Sequence, residues 1–236
     1  MILIKENKSI VKLSIIIPTL NESKNLPLLL SDLSEINNSE ILIIDSTSKD
    51  KTGDIALING ARFYKTSKKN RGLQLNYGAK KANGVWLLFI HADSRLKLNW
   101  SRNIMDILKR ESNLIYYFNF KVNNDSFTYR FLEFFVNLRC FLFKTPYGDQ
   151  GLLISKENFK TYRGYKTIPL MEDFDFISRI NKKNLRSLKT PIFTSSRKWE
   201  ELNFVWQSLI NWHLRRLMRK GLSINMIYKK YYKIRK

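Results

Sequence analysis

The residues with the clearest chemical potential are acids that directly follow short apolar runs. Asp45 ends the run at 41–44, and His91 and Asp93 follow the run at 85–90. A carboxylate at such a position can hold a divalent cation that bridges two phosphate oxygens. Each aspartate also has a simpler interpretation, because aspartate often caps a helix or shapes a turn. The occurrence of both acids at strand ends favours the chemical interpretation.

Glycine-rich phosphate loops are absent from the sequence. No Gly-x-Gly-x-x-Gly follows the first apolar run, and no Gly-x4-Gly-Lys-Ser/Thr occurs anywhere. A nucleotidyltransferase would also present metal-binding acids, but it begins with a Gly-x-Gly-Thr-Arg loop, where this chain has Pro18-Thr19-Leu20-Asn21-Glu22. The sequence therefore favours phosphates held through a metal ion over phosphates held by a glycine loop.

The elements that must position these acids alternate along the first 93 residues. Apolar runs at 13–17, 41–44, 61–65 and 85–90 predict strands, and helices are predicted at about 21–34, 52–59 and 71–83, with Gly84 as a C-cap. Asn21 or Ser23 can cap the first of these helices. Strands alternating with helices give a parallel sheet that binds ligands at its carboxyl-terminal edge. Pro18 and the two aspartates would meet at that edge.

Beyond residue 94 the alternation is looser. Helices are predicted at about 100–110, 127–143, 173–180 and 203–220, and strands at 114–120 and 151–154. We expect a domain over 1–200, with a nucleotide-binding half at 13–93 and an acceptor half at 94–200. A basic helical extension would occupy 201–236.

Composition narrows the function class. Of 236 residues, 44% are hydrophobic and 13% aromatic, which excludes general disorder. The net charge is +22, with 13 Lys and Arg against 9 Asp and Glu up to Asp93 and 29 against 11 beyond it. Such a charge favours anionic partners. The single cysteine, Cys140, excludes an intrachain disulfide, and without a long apolar run we expect a cytoplasmic location.

Two amphipathic segments offer membrane contact as an alternative to core packing. Aromatic stripes at helical spacing usually belong to the core, whereas a basic helix with tryptophans is typical of association with an anionic membrane surface. The first segment carries Phe127, Phe131, Phe134, Phe135, Leu138 and Leu142 on one face. The second carries Trp206, Leu209, Trp212 and Leu217 with Arg215, Arg216, Arg219 and Lys220. We expect the second segment to be the interfacial one.

Four motifs, in order, resemble the signature of family 2 glycosyltransferases. They are Pro18-Thr19-Leu20-Asn21-Glu22, the run from Asp45 to Thr52, His91-Ala92-Asp93 and Glu172-Asp173. Three further motifs resemble a small bacterial branch described as arsenosugar-biosynthesis-like: Tyr147-Gly148-Asp149-Gln150-Gly151, Pro169-Leu170-Met171-Glu172-Asp173 and Arg197-Lys198-Trp199-Glu200. The resemblance implies a GT-A fold, an α/β Rossmann-like mixed sheet that is mostly parallel and flanked by helices. It also implies metal-assisted, inverting transfer of a sugar from a nucleotide-diphosphate sugar to an acceptor hydroxyl.

The resemblance assigns the donor site residue by residue. Pro18, Leu20 and Glu22 would line the nucleotide pocket together with Asp45, whose carboxylate would accept a hydrogen bond from the base or ribose. Asp93 would hold Mn²⁺ or Mg²⁺ on the diphosphate. His91 stands where the usual Asp-x-Asp motif has its first acid, either as a ligand that favours Mn²⁺ or as a hydrogen-bond donor beside the metal.

The same resemblance places catalysis at the start of a helix. Asp173 would be the general base, and Glu172 would raise its pKa or orient the acceptor. First-turn acids also interact favourably with the helix dipole, which is the simpler interpretation. Developing charge on the diphosphate would be stabilised by Arg71, Arg197 and Lys198. Arg71 could equally be an exposed residue at a helix start.

Acceptor contacts are predicted on two segments. Trp199 would wall the acceptor pocket, although the absence of a Gln-x-x-Arg-Trp order argues against processive synthesis. The turn that contains Tyr147, Asp149 and Gln150 suits acceptor contact or a plain loop. We expect a nucleotide-sugar donor and no nucleic-acid partner. A non-catalytic basic module for anionic membrane or nucleic acid would explain the charge but not the placed acids.

Overall fold

The computed structural model describes residues 12–109, 113–195 and 204–234. Its first part alternates strands and helices as predicted: β1 Leu13–Thr19, α1 Leu26–Leu33, β2 Ser39–Asp45, α2 Thr52–Ile58, β3 Arg62–Lys65, α3 Arg71–Lys81 and β4 Trp86–Phe89. The apolar runs form strands because both faces of each strand are covered. Ile15 and Ile16 are neighbours in β1, are both 0% exposed, and belong to core clusters on opposite faces of the sheet.

The second part is less regular and contains elements that the sequence did not predict. It runs β5 Ser94–Leu96, α4 Arg102–Leu108, β6 Ile115–Val122, α5 Phe127–Phe143, a 3₁₀ turn Gly148–Gln150, β7 Leu152–Ser155, α6 Lys156–Thr161, α7 Glu172–Arg179, a 3₁₀ turn Lys182–Asn184, β8 Leu185–Thr194, α8 Phe204–Arg219 and α9 Ile224–Ile234. β8 was not predicted because Pro191 interrupts its sequence pattern. The strand is also irregular, since Lys189 has a positive φ of 55°. β5, α6 and α9 were also missed.

Within the described residues, one sheet of eight strands unites both parts, in the order β3-β2-β1-β4-β7-β6-β8-β5. β3, β2, β1 and β4 are mutually parallel, and β8 is parallel to β6. β7 runs antiparallel to both β4 and β6, and β5 runs antiparallel to β8. The predicted α/β fold with a mixed, mostly parallel sheet flanked by helices is confirmed.

Two helix caps differ from the prediction. α1 begins after Asn25 rather than Asn21 or Ser23, and α3 ends at Lys81 with Ala82 as its C-cap. Gly84 has a different role, because its N–H donates to Ser14 Oγ at 2.8 Å and an added Cβ would lie 2.6 Å from the backbone nitrogen of Ser14. Glycine is needed there for close approach to β1.

The expectation of core packing for the aromatic face of α5 is wrong. Phe127, Phe131, Phe134 and Phe135 are 84%, 54%, 59% and 50% exposed, and Leu142 is 58% exposed. The face that packs instead includes Leu132, Cys140, Glu133 and Asn137. Polar side chains occupy this buried face because they bind backbone groups of β6.

β6 requires polar partners on one side because its pairing with β7 is limited to Tyr116 opposite Leu153. Asn137 accepts from the N–H of Phe120 and donates to its carbonyl, both at 3.0 Å. Glu133 accepts from the N–H of Val122 at 2.8 Å. Buried backbone groups must be hydrogen-bonded, so α5 presents polar side chains to the strand and its aromatic side chains face outward.

The C-terminal helices α8 and α9 form a hairpin with its own apolar cluster. Ile210, Leu214 and Ile227 are buried in it, and Met171, just before α7, packs against the cluster. Trp212 is 57% exposed, with the Arg216 guanidinium 5.5 Å from its ring centroid. Much of the apolar side of this segment therefore serves packing, while the side chains of Trp206 and Leu209 lie outside the described residues.

Candidate active site

The carboxyl-terminal ends of β1, β2 and β4 meet at one edge of the sheet, as the sequence predicts for parallel strands. A cavity of about 400 Å³ opens there. It is lined by Pro18, Thr19, Leu20, Glu22, Lys69, Asn70, Arg71, Gln74, His91, Ala92, Asp93, Pro169 and Tyr228. Most of the residues predicted for the donor site are thereby brought together.

Asp45 lies beside the cavity but is 1% exposed and not part of its lining. Its carboxylate accepts hydrogen bonds from the hydroxyls of Thr19 and Ser48 and from the Ser48 N–H at 2.9 Å. A carboxylate has about four acceptor positions, so roughly one remains for a ligand. The structure shows Asp45 mainly fixing the β2 turn, and its contact with base or ribose stays a prediction.

The loop that carries Glu22 is held by the segment after β2. The Glu22 N–H donates to Thr52 Oγ1 at 2.9 Å, and the Ser23 N–H donates to Asp50 at 3.0 Å. Although burial acts in the opposite direction, hydrogen bonds from Thr52 and Ser23 lower the pKa of Asp50 to about 2. These contacts fix one wall of the cavity.

The opposite wall begins at the N-terminus of α3 and includes residues that sequence reasoning missed. Asn70 caps α3 by accepting from the Leu73 N–H at 2.9 Å, and Lys69 stands immediately before it. Gln74 donates to the carbonyls of Thr19 at 3.0 Å and Ile44 at 2.6 Å, which joins the ends of β1 and β2. The run of basic residues before a capping asparagine was the available signal, because helix N-termini attract anions.

His91 and Asp93 follow β4 and both line the cavity. Asp93 is 8% exposed. His91 Nε2 lies 3.2 Å from Arg71 Nη1, and because arginine stays protonated, this nitrogen acts as the acceptor. That contact favours a hydrogen-bonding role for His91 over metal ligation through Nε2. Within the described residues, no group of three or more His, Cys, Asp or Glu could hold a metal without other ligands.

Glu172 and Asp173 open α7 next to this point. Arg71 Nε donates to Glu172 Oε1, and the Glu172 side chain is 3% exposed. Burial raises the pKa of Glu172; Arg71 opposes this effect and Asp173 adds to it. Burial disfavours charge on Arg71, but Glu172 and Asp173 outweigh it and its pKa is raised. Arg71 is therefore a paired site residue rather than merely an exposed helix start.

Asp173 is held by backbone donors from two directions. Its Oδ2 accepts from the Gly148 N–H at 2.8 Å and its Oδ1 from the Phe174 N–H at 2.7 Å. A Cβ added at Gly148 would lie 3.0 Å from His91 Nε2 and 3.3 Å from Asp173 Oδ2. Asp173, His91 and the Gly148 turn are thus in close contact, and a side chain at Gly148 would displace its neighbours.

The predicted acceptor residues lie in different surroundings. Gln150 is 0% exposed. Its Oε1 accepts a hydrogen bond from Cys140 Sγ at 3.1 Å, and its Nε2 donates to the Phe118 carbonyl at 3.2 Å. Its prediction as an acceptor contact is therefore corrected to a structural role. The acceptor role of Tyr147 and Asp149 stays a prediction; the Tyr147 ring lies 6.3 Å from that of Phe174 in α7. The predicted Arg197, Lys198 and Trp199 lie outside the described residues.

Two contributions from the C-terminal hairpin were not predicted. Tyr228 of α9 lines the cavity. Arg215 of α8 places its guanidinium 4.3 Å from the ring centroid of Tyr147. Nothing in the local sequence links these residues to motifs that lie far before them, because the hairpin is brought to the site by packing on Met171.

The fold of the described residues is the GT-A fold, which is the fold of a class of glycosyltransferases. The chain belongs to the glycosyl transferase family 2, whose model matches residues 14–174. An uncharacterized glycosyltransferase of Haemophilus influenzae is 26% identical over 207 residues, which cover 81% of this chain and 67% of the relative. The assignment to the arsenosugar-biosynthesis-like branch stays a prediction.

Solved structures share the fold at low identity. S. aureus TarS superimposes with a TM-score of 0.62 at 16% identity, over 78% of this chain and 60% of that one. The mannosyltransferase PcManGT from Pyrobaculum calidifontis, solved with GDP-Man and Mn²⁺, gives a TM-score of 0.64 at 16% identity, over 88% of this chain and 64% of that one. This chain thus spans less than two thirds of both solved chains.

Proposed function

We propose that this protein transfers a sugar from a nucleotide-diphosphate sugar to an acceptor hydroxyl, with inversion at the anomeric carbon and with a divalent metal. The observation that carries the proposal is the cluster of Arg71, His91, Glu172 and Asp173: Arg71 and His91 line the cavity of about 400 Å³, and the two acids lie next to them. Such a cavity has the size of a small-molecule site. The proposed metal assistance is supported by Asp93 in its lining and by the Mn²⁺ of PcManGT.

The cavity lining suits a nucleotide whose diphosphate lies near Asp93. Lys69 and Arg71 supply positive charge, and the N-terminus of α3 adds its dipole. Asp93 would hold Mn²⁺ or Mg²⁺, with His91 adjacent. When bound, the metal would neutralise charge on the departing diphosphate. Because the described residues provide few carboxylates here, phosphate oxygens of the donor would complete the coordination, and metal and donor should bind together.

Asp173 is proposed as the general base. Its two backbone hydrogen bonds fix the carboxylate beside the Gly148 turn, next to His91 of the cavity lining. From there it would remove the proton of the acceptor hydroxyl as that oxygen attacks the anomeric carbon opposite the diphosphate. A single displacement of this kind inverts configuration. Glu172 would act through Arg71, since its buried carboxylate holds the guanidinium in place.

Thermal unfolding with a panel of UDP, GDP and dTDP sugars tests donor and metal together. At least one donor should raise the midpoint only with Mn²⁺ or Mg²⁺, and Asp93→Ala should abolish that shift. Asp173→Asn should keep the shift while lowering transfer by about 10²- to 10⁴-fold. Asp106→Ala is a matched control, because Asp106 is an exposed aspartate whose partner is Lys109. No donor response, or an undiminished response in Asp93→Ala, would refute the metal-diphosphate site.

We also propose peripheral association with an anionic membrane surface, through α5 more than through the C-terminal helices. Phe131, Phe134 and Phe135 form an exposed aromatic cluster, in which the Phe135 ring centroid lies 4.7 Å from that of Phe131 and 5.5 Å from that of Phe134. Contiguous exposed apolar groups commonly mark interaction surfaces. Residues 204–234 contain seven Lys and Arg and no Asp or Glu, so an anionic lipid surface is the partner that charge favours. No described helix is long and apolar enough to cross a membrane.

Vesicle sedimentation tests this docking surface. Wild type should sediment with vesicles that contain phosphatidylglycerol, and less with pure phosphatidylcholine. Replacing Phe131, Phe134 and Phe135 with Ser should reduce sedimentation. The matched control replaces Leu57 and Ile58 with Ser, since these are 61% and 84% exposed on α2. Equal sedimentation of both variants would refute the α5 surface.

A further inference from the structure

Outside the donor cavity, two arginines meet at Tyr147. The guanidinium carbon of Arg139 lies 4.0 Å from the Tyr147 ring centroid, and that of Arg215 lies 4.3 Å from it. Arg139 comes from α5 and Arg215 from α8, so elements far apart in sequence converge here. None of these three residues belongs to the cavity lining.

Within the described part of the chain, Asp149 and Asp173 influence Arg215 without forming an ion pair with it. No ion pair with a carboxylate is formed there by Arg139 or Arg215. Arg139 Nη2 donates to Gln150 Oε1 at 3.3 Å, but its buried Nε has no hydrogen-bond partner. Burial lowers the pKa of Arg215, and Arg139 lowers it further, against the opposite effects of Tyr147, Asp173 and Asp149. Two partly buried like charges therefore lie against one tyrosine ring, and Arg139 keeps a donor without a hydrogen-bond partner.

This cationic pair adjoins the proposed general base. The residue after Tyr147 is Gly148, whose N–H donates to Asp173 at 2.8 Å. The rings of Tyr147 and Phe174 are 6.3 Å apart, and Arg219 adds a third guanidinium 5.2 Å from the Phe174 centroid. The donor cavity reaches the base from the side of His91 and Arg71. The arginines therefore stand where an acceptor, rather than the donor diphosphate, would lie.

We propose that Arg139 and Arg215 bind an anionic group of the acceptor, a phosphate or carboxylate, next to the hydroxyl that Asp173 deprotonates. This inference rests on the proposed transfer reaction and names the class of acceptor that the reaction uses. Guanidinium groups present planar, paired N–H donors that match oxyanions, and such charge-assisted bonds are strong in partly buried sites. An anionic acceptor would remove the repulsion between the two cations, and a neutral one would leave it in place.

Titration calorimetry with inorganic phosphate, without donor or metal, tests the subsite separately from transfer. Wild type should bind phosphate, and Arg215→Gln should weaken binding by about tenfold or more, the loss of one charge-assisted hydrogen bond. Arg215→Lys should recover part of the loss. Arg216→Gln is the matched control on the same helix, because its guanidinium lies over Trp212. Arg139→Gln repeats the test from α5, with thermal unfolding to verify that the variant is folded.

Each outcome decides the proposal. Absence of phosphate binding by wild type, or equal binding by Arg215→Gln and wild type, overturns the subsite. Loss of the donor-and-metal thermal shift in Arg215→Gln would also overturn it, since the residue would then belong to the donor site. A short-chain phosphatidic acid, used as monomers, distinguishes the sources. If phosphatidic acid binds more tightly than phosphate and with the same dependence on Arg215, the anionic group of the acceptor is a lipid headgroup. If the two bind equally, it belongs to a soluble phosphate ester. A protein that binds phosphate but shows no donor shift contradicts the transfer reaction alone.

Discussion

Removing Arg71 should destabilise the protein more than removing the charge of its partner, Glu172. The Arg71 side chain is 42% exposed and that of Glu172 is 3% exposed. Arg71→Met leaves a buried carboxylate without its cation, whereas Glu172→Gln leaves a cation that water can reach. Breaking a fully buried pair costs about 3–5 kcal/mol, and the exposure of Arg71 reduces our estimate for Arg71→Met to about 2–3 kcal/mol. For Glu172→Gln we expect about 1 kcal/mol.

The effect of Arg71→Met should also depend on pH in a defined direction. Burial already raises the pKa of Glu172 with Arg71 opposing, so loss of Arg71 raises that pKa further. A carboxyl whose pKa is raised in the folded state does not lower the free energy of unfolding at pH values below its unfolded-state pKa of about 4.3. At higher pH it lowers the free energy of unfolding by up to about 1.4 kcal/mol per pH unit, until the folded-state pKa is passed. The destabilisation should therefore be larger at about pH 8 than at about pH 5.

Urea unfolding of both single variants and the double variant, at these two pH values, measures the asymmetry. The double variant, Arg71→Met with Glu172→Gln, should recover part of the loss of Arg71→Met because no buried charge remains. If Glu172→Gln costs as much as Arg71→Met, or if the cost of Arg71→Met is independent of pH, the burial argument for this pair is wrong.

Three further predictions concern backbone contacts and acid stability. Gly148→Ala should lower kcat by at least about tenfold, because a Cβ would press on both His91 Nε2 and Asp173 Oδ2; an unchanged kcat would separate the turn from Asp173. Gly84→Ala should cost about 1–3 kcal/mol in urea unfolding, because the Ser14 backbone cannot yield, and an unaltered midpoint would contradict this. Asp50→Asn should be less stable than wild type above pH 3.8, and the difference should vanish as pH falls through about 2, because hydrogen bonds depress that pKa. A difference that persists in acid would show a non-electrostatic origin.

Sequence reasoning succeeded where local pattern and fold agree. The strands β1, β2 and β4 were predicted to within two residues at each end, because each is a continuous apolar run covered on both faces. It failed at β8, where Pro191 breaks the pattern and pairing with β6 and β5 supplies the stability. It also failed on α5, where the packing requirement of a neighbouring strand outweighed the apolar periodicity of the helix.

The candidate site divides in the same way. Asp93 and His91 were predicted to line the cavity because parallel strands end at a common edge, and they do line it. Gln150 was assigned to the acceptor because a polar residue in a turn gives no sign of being 0% exposed. Arg215 had been considered only for membrane contact, since sequence spacing cannot show that α8 folds back onto Tyr147.

By itself, the sequence determined an α/β sheet with acidic residues at its strand ends, because strand formation and crossover handedness depend on local apolar runs and chain connectivity. Only the tertiary structure decided which charges are paired. Arg71 and Glu172 are 101 positions apart, and their ion pair depends on how α3 and α7 pack. Only the tertiary structure, likewise, showed Asp173 fixed by the Gly148 turn and the adjacent Tyr147 in contact with arginines from α5 and α8. Burial and long-range contact set the charge and position of these groups, and neither can be deduced from neighbours in the chain.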